Sequence, residues 1–138
     1  MMGFLIPPIL WLIHFIMTVQ PVQITEVESC PPYTQGYVKD NQIYLCPELT
    51  MPRSVVINHE TVHLIQNHWG GGILMPPSIL NYMVKETLEE REILSVIIHY
   101  EQTDYINQEF EARVLQNLPP RVIMTLYRLS SHVTHSTG

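Results

Sequence analysis

The stretch Ser54-Val-Val-Ile-Asn-His-Glu-Thr-Val-His-Leu-Ile-Gln-Asn-His68 decides the reading of this chain. It contains no Gly or Pro. Thr50 offers a helix cap just upstream, Pro52 is tolerated in a first turn, and Gly70, Gly71 and Gly72 provide a stop. The pattern predicts a helix from about Thr50–Pro52 to His68. Inside it, His59-Glu60-Thr61-Val62-His63 sets two imidazoles four residues apart, on one helical face. Val55, Val56, Ile57, Val62, Leu64 and Ile65 surround the pair, so this helix is expected to be largely buried. Buried imidazoles need a polar partner, and a metal ion serves both. Imidazole nitrogen suits Zn²⁺, at about 2.0–2.1 Å. Glu60 projects from a neighbouring face, where its carboxylate can take a proton from an attacking water and pass it to a leaving amine. With 7 His and 11 Glu in the chain, shuffling yields such a motif only ~0.03 times.

Two His leave a catalytic zinc short of a third protein ligand. His68 falls one residue before the position a third His would take in the metzincin pattern, which is Trp69, and Gln66 stands where that pattern needs Gly. A later Glu is the better source. In Gln108-Glu109-Phe110-Glu111-Ala112-Arg113, the apolar stripe Ile106, Phe110, Val114 has Glu109 and Glu111 on opposite flanks, and periodicity does not choose between them.

A strand, then His-Glu-x-x-His, then a distal Glu-x-x-Ala on a later helix make the chain resemble the gluzincin metallopeptidases, in particular the very small minigluzincins. The similarity covers Gly36 to about Leu118. It implies a zincin-like α+β fold, a zinc cofactor, and hydrolysis of peptide bonds in a peptide or protein substrate. It also implies that Glu109, the first Glu of the distal motif, is the third ligand, with Glu111 the alternative. Ala112 would allow close helix approach. Many relatives carry Asp after that Ala to support a ligating His; here the position is Arg113, which accepts no hydrogen bond. The role of stabilising a developing oxyanion goes to Tyr or His in gluzincins, and Tyr100, Tyr105 and His99 are the candidates.

Around this centre, Gly36 to Cys46 reads as two short strands about a turn at Asp40-Asn41, with Gln42 to Leu45 a possible edge for an extended substrate. Gln20 to Pro32 reads as a linker or irregular segment. Downstream, one helix is expected from Ser78 to about His99, another from Thr103 or Asp104 to before Pro119, and a last from Arg121 to Ser131, with a frayed tail beyond. The expected architecture is therefore α+β: one or two short strands, the motif helix and about three more helices. A single domain over residues 33–132 follows a leader and linker over 1–32, with 133–138 as tail.

Composition bounds the partners. The net charge is −6, from 7 basic and 13 acidic residues, and no basic run exists. Nucleic acid is therefore not an expected partner. Phe4 to Val19 contains no Lys, Arg, Asp or Glu. It is shorter than the ~20 residues that span a bilayer comfortably, and reads as a leader or membrane anchor, with a core helix from Ile9 to Val19 or an inaccurate start as the other options. Membrane association or export is accordingly expected ahead of a cytoplasmic site. Cys30 and Cys46 form no Cys-x-x-Cys pair; they are either two reduced thiols or, after export, one disulfide. Two other readings compete with the peptidase: a non-catalytic zinc scaffold of the same fold, and a membrane-anchored interaction protein with chance histidines. The last requires Glu109 to lie far from His59 and His63.

Overall fold

The computed structural model describes Ile9 and residues 22–137; apart from Ile9, the apolar run at 4–19 lies outside the described residues. The fold is α+β. Strands β1 (Ile24–Glu26), β2 (Gly36–Lys39) and β3 (Gln42–Leu45) precede helices α1 (Arg53–His68), α2 (Pro77–Thr87), α3 (Glu90–Tyr100), α4 (Ile106–Leu115) and α5 (Pro120–Thr137).

The β2–β3 hairpin forms where expected. Asp40 and Asn41 both take positive φ, 51° and 61°, the twist that suits a two-residue connection between right-twisted strands. Lys39 then faces Gln42 and Gly36 faces Leu45. The third strand lies in the stretch read as irregular. β1 pairs in parallel with β3, Ile24 opposite Ile43, and its ladder is completed by Ile43 N–H to Gln23 O at 2.9 Å and Val27 N–H to Leu45 O at 2.9 Å. Only three residues long and bounded by prolines, β1 is too short for a period of two to declare itself. The sheet order is β1-β3-β2. β3 is therefore central and paired on both sides, and the edge suited to an added strand is β2, not Gln42–Leu45. Cys30 and Cys46 are joined in a disulfide across 16 positions, a closure worth about 3 kcal/mol.

The single helix expected from Ser78 to His99 is two. Leu88 adopts extended backbone and turns inward, and Glu89 and Glu92 form a reciprocal capping box that starts α3. Glu89, Glu90 and Glu92 thus stand at a helix start, which favours carboxylates near its unsatisfied N–H groups. α4 begins at Ile106, a little later than expected, and α5 carries helical backbone to Thr137, past the expected end at Ser131.

α1 is the hub. Its Val56, Leu64 and Ile65 pack with Ile43 and Leu45 of the sheet and with Tyr127 of α5. On another side, Val62 meets Ala112 and Ile123. Ala112 is fully buried, and its single methyl lets α4 lie close along α1. A third cluster of Leu80, Leu88 and Val114 binds α2 to α4. At the start of β2, a Cβ on Gly36 would lie 3.0 Å from Tyr44 O and 3.3 Å from Glu60 Cγ. The absence of a side chain there lets the edge strand rest against the motif helix.

Candidate metal centre

The helical period of α1 places His59 and His63 side by side, ring centroids 4.9 Å apart and nearly perpendicular. α4, held against α1 by Ala112, brings Glu109 to them from 46 positions beyond His63. His59 Nε2 lies 3.1 Å from Glu109 Oε1, and His63 Nε2 lies 3.1 Å from Glu109 Oε2. The two Nε2 atoms are 3.2 Å apart. Of the two flanking glutamates, Glu109 joins the imidazoles. Glu111 points away, to the backbone N–H groups of Leu74 and Met75.

The other imidazole nitrogens are engaged. His59 Nδ1 lies 2.8 Å from Gln116 Oε1, and His63 Nδ1 lies 2.8 Å from Gln66 Oε1. An amide oxygen only accepts, so each Nδ1 carries the proton and each neutral ring turns the lone pair of Nε2 inward. When both rings are neutral, three electron-pair donors converge in a buried place, Glu109 alone also accepting from Arg113 Nε. With Oε2 as the one oxygen of Glu109, the separations are 3.1 Å to His63, 3.3 Å to His59 and 3.2 Å between the imidazoles, close to the ~3.3 Å edge of a tetrahedron with metal–ligand bonds of 2.0–2.1 Å. His59, His63 and Glu109 can thus hold a metal ion. Gln116 fixes the His59 ring from the C-terminal end of α4. Arg113 donates from Nε to Glu109 Oε1 at 3.3 Å.

Glu60 is 8% exposed and stands beside this cluster. Burial pushes its carboxyl above the ordinary range, partly offset by His59 and His63 and reinforced by Glu109. Burial alone would also raise Glu109, but hydrogen bonds and charge from His59 and His63 outweigh it and hold that carboxyl well below the ordinary range. For His63, burial favours the neutral ring; the hydrogen bond to Glu109 and the charges of Glu60 and Glu109 win, and the imidazole is raised.

These directions set a pH signature for the metal-free protein. A His raised on folding contributes stability that is complete below its unfolded pKa and is lost as pH rises through its folded one. A Glu lowered on folding contributes stability present above its unfolded pKa and lost on acidification. Thermal unfolding under chelator should show Tm falling as pH rises through the raised His63 pKa, because three acceptors then face one another unprotonated. Addition of Zn²⁺ should reverse that fall, since ion binding improves as protons leave the ligands. A chelated protein whose Tm is flat across this range would contradict the convergence of lone pairs.

A groove of about 320 Å³ runs over the cluster, walled by Gly36, Tyr37 and Val38 of β2 and by Tyr100 and Tyr105. A smaller recess of about 140 Å³ continues it past Glu60 towards Tyr33, Gln35 and Arg113. Of the three oxyanion candidates, Tyr100 lines both spaces. Tyr105 sits at the groove, 62% exposed. His99 lines neither; its Nδ1 bonds to the Ser95 carbonyl at 2.7 Å. His68 is engaged elsewhere, with Asn41 and Ser130.

Gln66 and Gln116 were not singled out as site residues from the sequence. Their signal is spacing: Gln66 lies one turn after His63, and Gln116 two turns after Glu109. No protein-family model, curated protein or solved structure matches the chain.

Proposed function

We propose that this protein is a zinc-dependent peptidase with His59, His63 and Glu109 as metal ligands and Glu60 as general base and acid. The convergence of two Nε2 atoms and one carboxylate at 3.1–3.2 Å, beside a second buried carboxylate in an open groove, carries this reading. It weighs against the chance-histidine alternative, which needs Glu109 to be distant. Bound Zn²⁺ would supply a Lewis acid that polarises a scissile carbonyl and lowers the pKa of water at the site. Glu60, raised by burial, suits a group that takes a proton near neutrality and gives it up again to the leaving amine. The Tyr100 phenol is raised above its ordinary value by burial and by Glu109, so it stays protonated and able to donate to a developing oxyanion. Among the described residues β2 is hydrogen-bonded on one side only, leaving Gly36–Val38 to receive an extended peptide as an added strand.

One observation favours the second reading, a non-catalytic zinc scaffold. Arg113 ties down an oxygen of Glu109, a contact that would draw electron density from the ligand. As for compartment, the disulfide supports an exported or membrane-associated protein, although no described helix is long and apolar enough to cross a membrane.

The deciding experiment is a mixed peptide library incubated with zinc-loaded protein and read by mass spectrometry. Cleavage that chelator abolishes and Zn²⁺ restores is the expected result. Full zinc occupancy without cleavage of any peptide would favour the scaffold.

A further inference from the structure

Glu111 is fully buried on α4 and takes no part in the cluster. All its hydrogen-bonding contacts are donors. Oε1 accepts from Leu74 N–H at 2.7 Å and from Gln66 Nε2 at 3.0 Å; Oε2 accepts from Leu74 N–H and Met75 N–H, each at 2.8 Å. The other proton of Gln66 Nε2 goes to the Gln108 carbonyl at 3.1 Å.

This arrangement has a consequence for His63. A side-chain amide presents its NH2 on one side and its oxygen on the other. With two acceptors claiming the NH2 of Gln66, the oxygen must face the opposite way, and there it meets His63 Nδ1 at 2.8 Å. A reversed amide would set its oxygen against Glu111 and Gln108 O, acceptor against acceptor, in a buried place where unmet polar groups cost most. The amide of Gln116, which serves His59, is less constrained: its Nε2 meets only Met51 Sδ, at 4.0 Å.

We infer that Glu111, acting through Gln66, is a positioning residue that holds His63 in the Nδ1–H form and keeps its Nε2 lone pair directed at His59 and Glu109. The chain of contacts is Glu111 Oε1, Gln66 Nε2, Gln66 Oε1, His63 Nδ1. It also ties the cluster to the loop after α1, because the same carboxylate grips Leu74 and Met75. Tautomer control of this kind raises the donor strength of a ligating imidazole. The inference rests on the reading of the cluster as a metal site.

Its test uses three variants. Gln66→Met keeps the side chain's length, leaves Glu111 on Leu74 and Met75, and removes the acceptor for His63. Glu111→Gln turns an NH2 towards either Gln66 or the loop N–H groups, donor against donor, and so favours reversal of Gln66. Gln66→Glu combined with Glu111→Gln exchanges the roles: the new carboxylate accepts from both His63 and the new amide, the Gln108 carbonyl is left facing an acceptor, and Leu74 N–H, which met both oxygens of Glu111, keeps one. The measurements are Zn²⁺ affinity by competition titration, the visible spectrum of the Co²⁺-loaded protein, and Tm of the metal-free protein as a separate record of folding. Each single variant should bind Zn²⁺ about 10–100-fold less tightly with an altered Co²⁺ spectrum, and the double variant should recover most of the loss. A role confined to packing would lower Tm and leave affinity and spectrum as in wild type. Folded single variants with wild-type affinity would overturn the inference, as would a double variant no better than Glu111→Gln. Wild-type protein that takes up neither ion would overturn both the inference and the metal reading, whereas equal binding by wild type and variants removes the inference alone.

Discussion

Glu60→Gln should leave zinc content and Tm near wild type and lower peptide cleavage by about 10²–10⁴-fold, the usual contribution of general acid–base catalysis. The substitution keeps size and shape and removes basicity. Glu60 is not among the three side chains that converge, so the ion should stay. Its burial is costly to a charge, and the neutral amide relieves part of that cost, which argues against a large loss of stability. A Glu60 that served only packing would behave in the opposite way: Tm would drop, and hydrolysis would fall only in step with the folded fraction. The comparison is made at matched zinc occupancy on the same peptide library. A variant that cleaves as fast as wild type removes Glu60 from the mechanism.

The second large effect is expected at the cluster itself. His59→Ala/His63→Ala should abolish stoichiometric zinc in dialysed protein, measured by plasma emission. Glu109→Gln should weaken Zn²⁺ by more than the ~100-fold that marks the upper range for an orienting partner, and by more than Glu111→Gln does. The thermal readout follows from linkage. An ion at 1,000 times its Kd stabilises the folded chain by about 4.1 kcal/mol, and the double-His variant should show no such gain on adding Zn²⁺. A double variant that retains zinc at the wild-type level would refute the assignment, and Glu111→Gln weakening Zn²⁺ more than Glu109→Gln would transfer the ligand role to Glu111.

Much of this was legible because helical period and composition act locally. Spacing alone put His59 and His63 on one face and predicted their helix to within about one turn. The hairpin was legible because Asp-Asn is a turn signal with a physical cause. Elsewhere, tertiary context decided. Periodicity could not separate Glu109 from Glu111, since both flank the same stripe; the difference lies in what α4 packs against, with Glu109 over α1 and Glu111 over the loop at Leu74 and Met75. β1 was missed because three residues cannot show alternation and its pairing partner is 19 positions away, at Ile24–Ile43. The break at Leu88 was missed because Lys85 to Glu92 consists mostly of good helix formers; burial of Leu88 with Leu80 and Val114 overrides that preference. Gln66 and Gln116 escaped because glutamine has no charge or metal affinity to draw notice, and its value here comes from an amide orientation that only neighbours can set.

The disulfide divides the molecule's vulnerabilities. Cys30 and Cys46 bracket β2 and β3, so the bond secures the wall of the groove, whereas the floor is built on α1 and α4 and owes nothing to sulfur. A thiol reductant and a chelator would therefore disarm the protein by separate routes: the first by slackening the rim against which a peptide would lie, the second by emptying the floor beneath it. On the proposed function, competence would become a conjunction of two external conditions, an oxidising milieu and an available divalent ion. A chain that meets only one of them would be folded in half of its working surface and idle in the other.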